Sequence, residues 1–237
     1  MAYALITSTS KAAAVNTTVT TDAIDSSGGN FAVVNVGSYN AGTVVLTDSK
    51  SNTWNGLTNR VNVATGQTQR LFYTQGGTFG TNHTFKAEDL VLPIYPSIEV
   101  LIFSGAVASP FDQEAGADGS GINTLATGSL TPSENNCLVV TGLGHENNSS
   151  GAVAASSPFD TNDIMVAYGA GTNEGSGISY EIQTSATARN PSWSITNNAG
   201  MAVTLAVFKA AAAGGGGGPI LGRGVLVNGV LRGRLFV

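Results

Sequence analysis

Charge is scarce in this sequence: Asp, Glu, Lys and Arg supply 11% of the residues, against about 25% in an ordinary globular domain. Solvated helix faces are built from long charged side chains. Their scarcity therefore disfavours a helical protein and leaves the polar surface to Ser, Thr, Asn and Gly, residues of sheets and turns. Histidine is nearly absent. Neither His83 nor His145 has a second His or Cys at ligand spacing, which leaves a transition-metal centre without its usual ligand set. Cys137 stands alone, so no intrachain disulfide can form; within Asn136-Cys137-Leu138-Val139-Val140 it reads as a buried, reduced thiol. No stretch reaches the roughly eighteen apolar residues of a membrane-spanning helix, and Met1 to Thr7 has no basic region followed by a long apolar core, so neither membrane insertion nor a signal peptide is expected. There is no Gly-x-Ser-x-Gly elbow. The run Gly214 to Gly218 is no phosphate cradle, because Pro219 follows it and no Lys-Ser/Thr pair appears.

Apolar residues are plentiful, at 42% of 237, enough for a core. They fall in short runs rich in Val, Ile, Thr and aromatics, separated by Gly, Asn, Asp and Ser clusters. Strands are predicted at Thr17 to Ile24, Phe31 to Ser38, Thr43 to Thr47, Arg70 to Thr74, His83 to Ala87, Ser97 to Ser104, Cys137 to Leu143, Ile164 to Tyr168, Ile178 to Thr184, Ser192 to Thr196 and Ala202 to Lys209. This is the pattern of an all-β protein, an antiparallel two-sheet sandwich, either jelly-roll-like or immunoglobulin-like. Phe31, Val33, Trp54, Leu101, Phe103, Val139, Trp193, Leu205 and Phe208 are its expected core.

Candidates for chemistry are few. His145-Glu146 lies in a Gly-rich stretch and reads as a solvated loop. Asp112, Glu114 and Asp118 offer oxygens in what reads as an acidic loop, but the spacing misses the calcium-binding pattern. Tyr39, Trp54, Tyr73, Tyr168 and Tyr180 are the candidate side chains for stacking on a sugar, with Trp54 and Trp193 reading more naturally as core plugs. The echo of Ser109-Pro110-Phe111-Asp112 in Ser157-Pro158-Phe159-Asp160 reads as two similar corners, each with a Pro-fixed turn and a Phe stapling a sheet end.

The net charge of −5 conceals a division: residues 1–213 hold seven Lys and Arg against fifteen acids, and residues 214–237 hold three Arg and no acid. An acidic body argues against nucleic-acid binding. The chain divides into a sandwich body at 1–209, an Ala/Gly spacer at 210–218, and an apolar, basic arm at 219–237. Glycine runs act as flexible tethers, and an apolar arm too short to fold alone calls for a partner surface. Leu221, Val225, Val227, Val230, Leu231, Leu235 and Phe236 are expected to supply apolar contact, and Arg223, Arg232 and Arg234 to meet acidic or backbone oxygen groups. Asn228-Gly229 between two short apolar runs suggests a hairpin added to a neighbour's sheet edge.

Four segments carry a family resemblance: Asp48-Ser49-Lys50-Ser51-Asn52-Thr53-Trp54; Val100 to Gly105 leading to Ser109-Pro110-Phe111-Asp112; Gly128-Ser129-Leu130-Thr131-Pro132-Ser133; and Trp193-Ser194-Ile195 with Ala206-Val207-Phe208-Lys209. Together they resemble a β-sandwich domain family of phage structural proteins and bacterial surface proteins, over about residues 3–209. The resemblance implies a sandwich displayed on a particle or cell exterior, with no catalytic residues and no cofactor. The expectation is a non-enzymatic virion protein of a bacteriophage, a capsid decoration or tail or fibre component made in the host cytoplasm, whose arm binds other virion proteins or copies of itself. The alternative is a carbohydrate-binding receptor module of a tail fibre or adhesin, which needs an exposed aromatic platform or polar groove to hold a surface glycan. A glycoside hydrolase would need two carboxylates facing each other across a cleft.

Overall fold

The computed structural model describes residues 2–13, 17–39, 44–89, 95–146, 153–159, 164–166 and 174–211. Its strands are β1 (Ala4–Ala12), β2 (Thr18–Thr20), β3 (Phe31–Ser38), β4 (Val44–Asp48), β5 (Asn55–Gly56), β6 (Arg60–Val61), β7 (Thr68–Gln75) and β8 (Phe85–Asp89). They continue as β9 (Ser97–Ser104), β10 (Ala106–Ala126), β11 (Leu138–Glu146), β12 (Val153–Ala155), β13 (Ile164–Val166), β14 (Glu174–Ile182) and β15 (Ser192–Ala210). All pairings are antiparallel. One sheet has the order β1-β9-β3-β7-β5 with β6 also on β7; the second has β10-β15-β11-β14-β13 with β12 also on β15; a third, small sheet has β2-β8-β4. The protein is thus an all-β antiparallel sandwich, with a third sheet laid on the outside of the first.

That extra layer explains the unbroken apolar runs of β3 and β9. A strand covered on both faces loses the usual alternation of apolar and polar residues. Phe31 and Val33 of β3, with Leu101 and Phe103 of β9, face the second sheet and pack with Leu138, Val140, Ile178 and Phe208. The intervening Ala32, Val34, Val36, Ile98, Val100 and Ile102 face the small sheet and meet Val19, Leu46 and Phe85. Each large side chain so enclosed contributes about 1.5–3 kcal/mol.

A third cluster covers the outer face of the second sheet. β10 and β15 are long enough to fold back across that face, and their register slips several times, between Phe111 and Gln113 and between Gly119 and Thr124 among other places. Bulges of this kind bend and twist a strand. The returning ends bring Trp193, Ile195 and Ala155 over Val139, Leu205 and Val207, with Phe159 and Cys137 in the same cluster. The Trp193 indole donates to Thr141 Oγ1 at 2.9 Å, which satisfies its one donor in the apolar surroundings.

Several expectations need correction. Trp54 is half-buried at the margin of the small-sheet core, packed edge-on against Phe85, while the other expected core residues are fully enclosed. The segment holding Asp112, Glu114 and Asp118 is strand, paired from Gln113 to Gly119 with β15. Its Gly- and Ala-rich sequence has little β-propensity, and the backbone ladder offered by β15 overrides that. Ser192 to Thr196 and Ala202 to Lys209 are one strand. The two Ser-Pro-Phe segments share the use of the Phe but not the backbone: Phe111 sits in β10 beside a register shift, and Phe159 follows a turn into the outer cluster.

Candidate functional site

Polar and titratable side chains gather in three places, and solvent access separates them. The first is a layer between the two large sheets. Along β3 and β9 the face that begins with Phe31, Val33 and Phe103, Leu101 continues with Asn35, Glu99 and Ser97, so the apolar core gives way to a polar one. Asn35 is its hub: its amide nitrogen donates to Glu99 Oε2 at 2.8 Å and to the carbonyls of Leu143 and Gly177 at 3.0 Å each, and its oxygen accepts from Gln69 Nε2 at 2.6 Å. Thr204 Oγ1 donates to Gln69 Oε1 at 2.7 Å, tying the layer to β15. Ser176 Oγ meets both Glu99 Oε1 and Ser97 Oγ. Burial, only partly opposed by the bonds from Ser176 and Asn35, pushes the Glu99 carboxyl up to about 8. It is therefore protonated at neutral pH and carries no charge that would need a buried cation.

Glycines make room for this layer. A Cβ on Gly142 would lie 2.6 Å from Asn35 Oδ1, and one on Gly144 would lie 2.6 Å from Gln67 Nε2. A Gly-rich stretch that reads as a loop is therefore β11, where polar side chains from the facing sheet approach the backbone. This overturns the reading of His145 as a solvated loop residue. His145 points from β11 to the opposite face, is 1% exposed, and burial holds its imidazole down at about 4, against a weaker upward pull from the Glu146 carbonyl. It is neutral at physiological pH.

The second gathering is Ser26, His83 and Asp48, and no short sequence motif announces it. Ser26 Oγ lies 2.8 Å from His83 Nδ1, and His83 Nε2 faces Asp48 Oδ2 at 3.7 Å. A carboxylate only accepts, so the favourable tautomer carries its proton on Nε2 and takes a hydrogen bond from Ser26 at Nδ1. The order Ser, His, Asp is that of a hydrolase triad, but Ser26 and His83 are 0% exposed, Phe85 stacks on the imidazole at 4.2 Å, and Ser26 Oγ also accepts from the Gly80 N–H at 2.9 Å. No substrate carbonyl reaches that hydroxyl, so the trio is a clamp that ties the segments around Ser26 and His83 to the end of β4.

Asp48 also organises the turn that follows it. It accepts from the Lys50 and Asn52 N–H groups at 2.8 and 3.2 Å and from the Trp54 indole at 3.0 Å. Burial works to raise its carboxyl, and the His83 contact with the Asn52 and Lys50 bonds more than offsets this, holding it below its usual value. The segment Asp48 to Trp54 is an Asx-type turn closed by its own side chain.

The third gathering is open. A cleft of about 650 Å³ on the flank of the sandwich is lined by Trp54, Asn55, Gly56, Leu57, Thr58, Tyr73, Phe111 and Glu114. Its rings come from the Asp48 turn, from β7 and from β10. Tyr73 and Phe111 stack with centroids 5.8 Å apart and planes 13° apart, and both pack against Phe208 of the inter-sheet core. Burial raises the Tyr73 phenol. Arg70 Nε braces the wall by donating to the Leu57 carbonyl at 2.7 Å while its guanidinium sits 5.0 Å over the Phe72 ring. Glu114 Oε1 accepts from Thr58 Oγ1 at 2.6 Å, and the Thr58 N–H lies 3.3 and 3.2 Å from the two carboxylate oxygens.

The acidic trio of β10 is therefore divided. Glu114 lines the cleft, Asp112 accepts from the Ser133 N–H at 2.8 Å, and Asp118 is exposed further along the strand. Among the described residues no three His, Cys, Asp or Glu side chains converge as a metal site would require. Of the aromatics expected to stack on a sugar, Trp54 and Tyr73 come together. Tyr39 pairs instead with Tyr95 at 6.4 Å, Tyr180 packs edge-on against Phe103 at 5.1 Å, and Tyr168 lies outside the described residues. Phe111 joins the cleft although its Ser-Pro-Phe setting suggests only a staple. Cys137 is enclosed, donates to the Glu134 carbonyl at 3.2 Å, and burial pushes its thiol up to about 11, which leaves it a poor nucleophile. The arm residues Leu221, Arg223, Val225, Val227, Val230, Leu231, Arg232, Arg234, Leu235 and Phe236 lie outside the described residues. No family model, no curated protein and no solved structure matches this chain.

Proposed function

We propose that the protein is a non-enzymatic structural component of a bacteriophage-like particle, a β-sandwich displayed on the surface and held there by its C-terminal arm. The observation that carries the reading is where the sheet ends. β15 stays paired to Ala210, opposite Ala106 of β10, and the Ala211 N–H donates to the Gly105 carbonyl at 2.7 Å, at the point where the sequence passes into the spacer. A short glycine tether beginning at a sheet rim gives a displayed body a second contact at high effective concentration, with avidity and no enlargement of the domain. A depression of about 630 Å³ beside this exit, lined by Val107, Ser109, Asn136 and Lys209 among others, leaves the rim open.

The absence of catalysis rests on how the reactive-looking groups are used. Ser26, His83, Glu99, His145 and Cys137 are each buried and hydrogen-bonded within the fold, and among the described residues Glu114 is the single carboxylate of the cleft, where glycoside hydrolysis ordinarily uses two. Deleting residues 214–237 tests the reading. The truncated chain is expected to fold and melt nearly as the full chain does, while its incorporation into the particle or its self-association falls sharply. Undiminished occupancy would refute the anchoring arm.

A further inference from the structure

Three properties of the Trp54–Tyr73–Phe111 cleft point to one class of ligand. The first is its apolar surface. Tyr73 and Phe111 stack with near-parallel planes, both half-buried, and Trp54 adds a third half-buried ring from another element. Aromatic rings partly exposed in a shallow, largely polar cleft offer apolar faces and edges against which the C–H face of a pyranose can pack. Tyr73 and Phe111 are only partly buried against the inter-sheet cluster, and both line the cleft.

The second property is the set of polar groups left without a protein partner. The Tyr73 hydroxyl and the exposed Asn55 amide make no side-chain hydrogen bond to the described protein. Glu114 keeps unused lone pairs beside the two groups of Thr58. An amide, a phenol and a carboxylate at the rim of an aromatic floor match the alternating donors and acceptors of vicinal ring hydroxyls.

The third property is charge. Glu114 is the one charged residue in the lining among the described residues; Arg70, packed behind Gly56, is turned to the Leu57 carbonyl and the Phe72 ring. Thr58 neutralises none of that charge, so an anionic ligand would meet repulsion. A purely apolar ligand would strip water from Glu114 and Asn55 without replacing it.

We propose that this cleft binds a neutral oligosaccharide, with Trp54, Tyr73 and Phe111 contacting a sugar face and Asn55, Glu114 and the Tyr73 hydroxyl engaging its hydroxyls. The cleft's volume lies within the range of about 300–1,000 Å³ usual for small-ligand sites. This site belongs to the body alone, so it stands or falls separately from the anchoring role of the arm.

The test is a titration of the full-length protein with cellotriose, maltotriose and triacetylchitotriose, with sialyllactose as the anionic control, followed by amide and indole chemical shifts. At least one neutral trisaccharide is expected to bind at millimolar concentration or below and to shift the Trp54 indole together with the amides of Asn55 to Thr58 and of Phe111 to Glu114. Tyr73→Phe and Asn55→Ala, which leave the packing of Phe31 and Phe208 intact, are expected to weaken that binding about tenfold each, in line with loss of one hydrogen bond from a desolvated site. Sialyllactose is expected to bind more weakly than the best neutral sugar. The proposal is overturned if none of the three neutral sugars shifts these signals, if both variants bind as well as the parent, or if the anionic sugar binds best.

Discussion

The polar layer around Asn35 and the cleft around Tyr73 share β7, where Gln69 serves the layer and Tyr73 the cleft, and they use similar side chains for opposite ends. In the layer a carboxyl, amides and hydroxyls are sealed between sheets, bonded to one another, and neutral. In the cleft an exposed amide and a half-buried carboxyl and phenol edge the aromatic rings, and two of the three lack a side-chain partner among the described residues. Residue type does not distinguish a binding surface from an architectural device in this molecule; access to water does. A buried polar group left unpaired costs stability, and within the layer Asn35, Glu99, Gln69 and Ser176 bond one another, with Gln67 Oε1 at its edge the exception. An exposed one is solvated at little cost and remains free for a ligand.

Substitution should separate the two regions. Trp193→Ala is the largest expected loss, about 3–5 kcal/mol in denaturant unfolding, because it empties the outer core and orphans Thr141. Asn35→Leu should cost on the order of 3 kcal/mol, since it strands Glu99, Gln69 and the carbonyls of Leu143 and Gly177 at once. A loss under about 0.5 kcal/mol, the size of an ordinary surface change, would mean the layer is not a cooperative unit. Asp48→Asn, which removes the charge from the bonds to Lys50, Asn52 and Trp54, should cost about 1–2 kcal/mol. Asn55→Ala in the cleft should change stability by no more than about 0.5 kcal/mol; a clear drop in melting temperature would show that the cleft is part of the core.

The boundary between what the sequence reveals and what it hides follows the same division. β3 and β9 are legible to the residue at both ends, because burial on both faces leaves unbroken apolar runs bounded by polar turns. The Asp48 turn is legible because its acceptor and donors lie within six positions. β10 is not, since its strand character comes from β15, nearly a hundred positions away, and its own residues are polar and small. The polar layer is hidden for the same reason. Asn35 reaches Glu99, Leu143 and Gly177 across separations of 64, 108 and 142 residues, and no local spacing encodes such a meeting. Gly142 and Gly144 mislead outright, since glycine marks a close approach as readily as a loop. The cleft is half legible: Trp54 and Tyr73 stand out as candidate stacking residues, whereas Phe111 and Glu114 join them only through the register of β10.

Two buried groups set opposing pH dependences. His145, held down at about 4 from 6.5, contributes stability that is present above pH 6.5 and lost as pH falls through 4. Glu99, raised from 4.5 to about 8, contributes stability that is fully present below pH 4.5 and lost as pH rises through 8. From about 4.5 to 6.5 the two slopes oppose each other, and above that range Glu99 acts alone.

The claim that the layer is a sealed, neutral network is therefore tested most directly by unfolding the parent and Glu99→Gln side by side from below pH 4.5 to above pH 8. The parent should lose stability between pH 6.5 and 8 at a slope approaching about 1.4 kcal/mol per pH unit. Glu99→Gln, which replaces a protonated carboxyl by an amide of the same shape, should remove that slope and be the more stable of the two above pH 8. A parent whose stability is flat across this range, or a variant that keeps the same slope, would contradict a neutral Glu99 and with it the account of the layer.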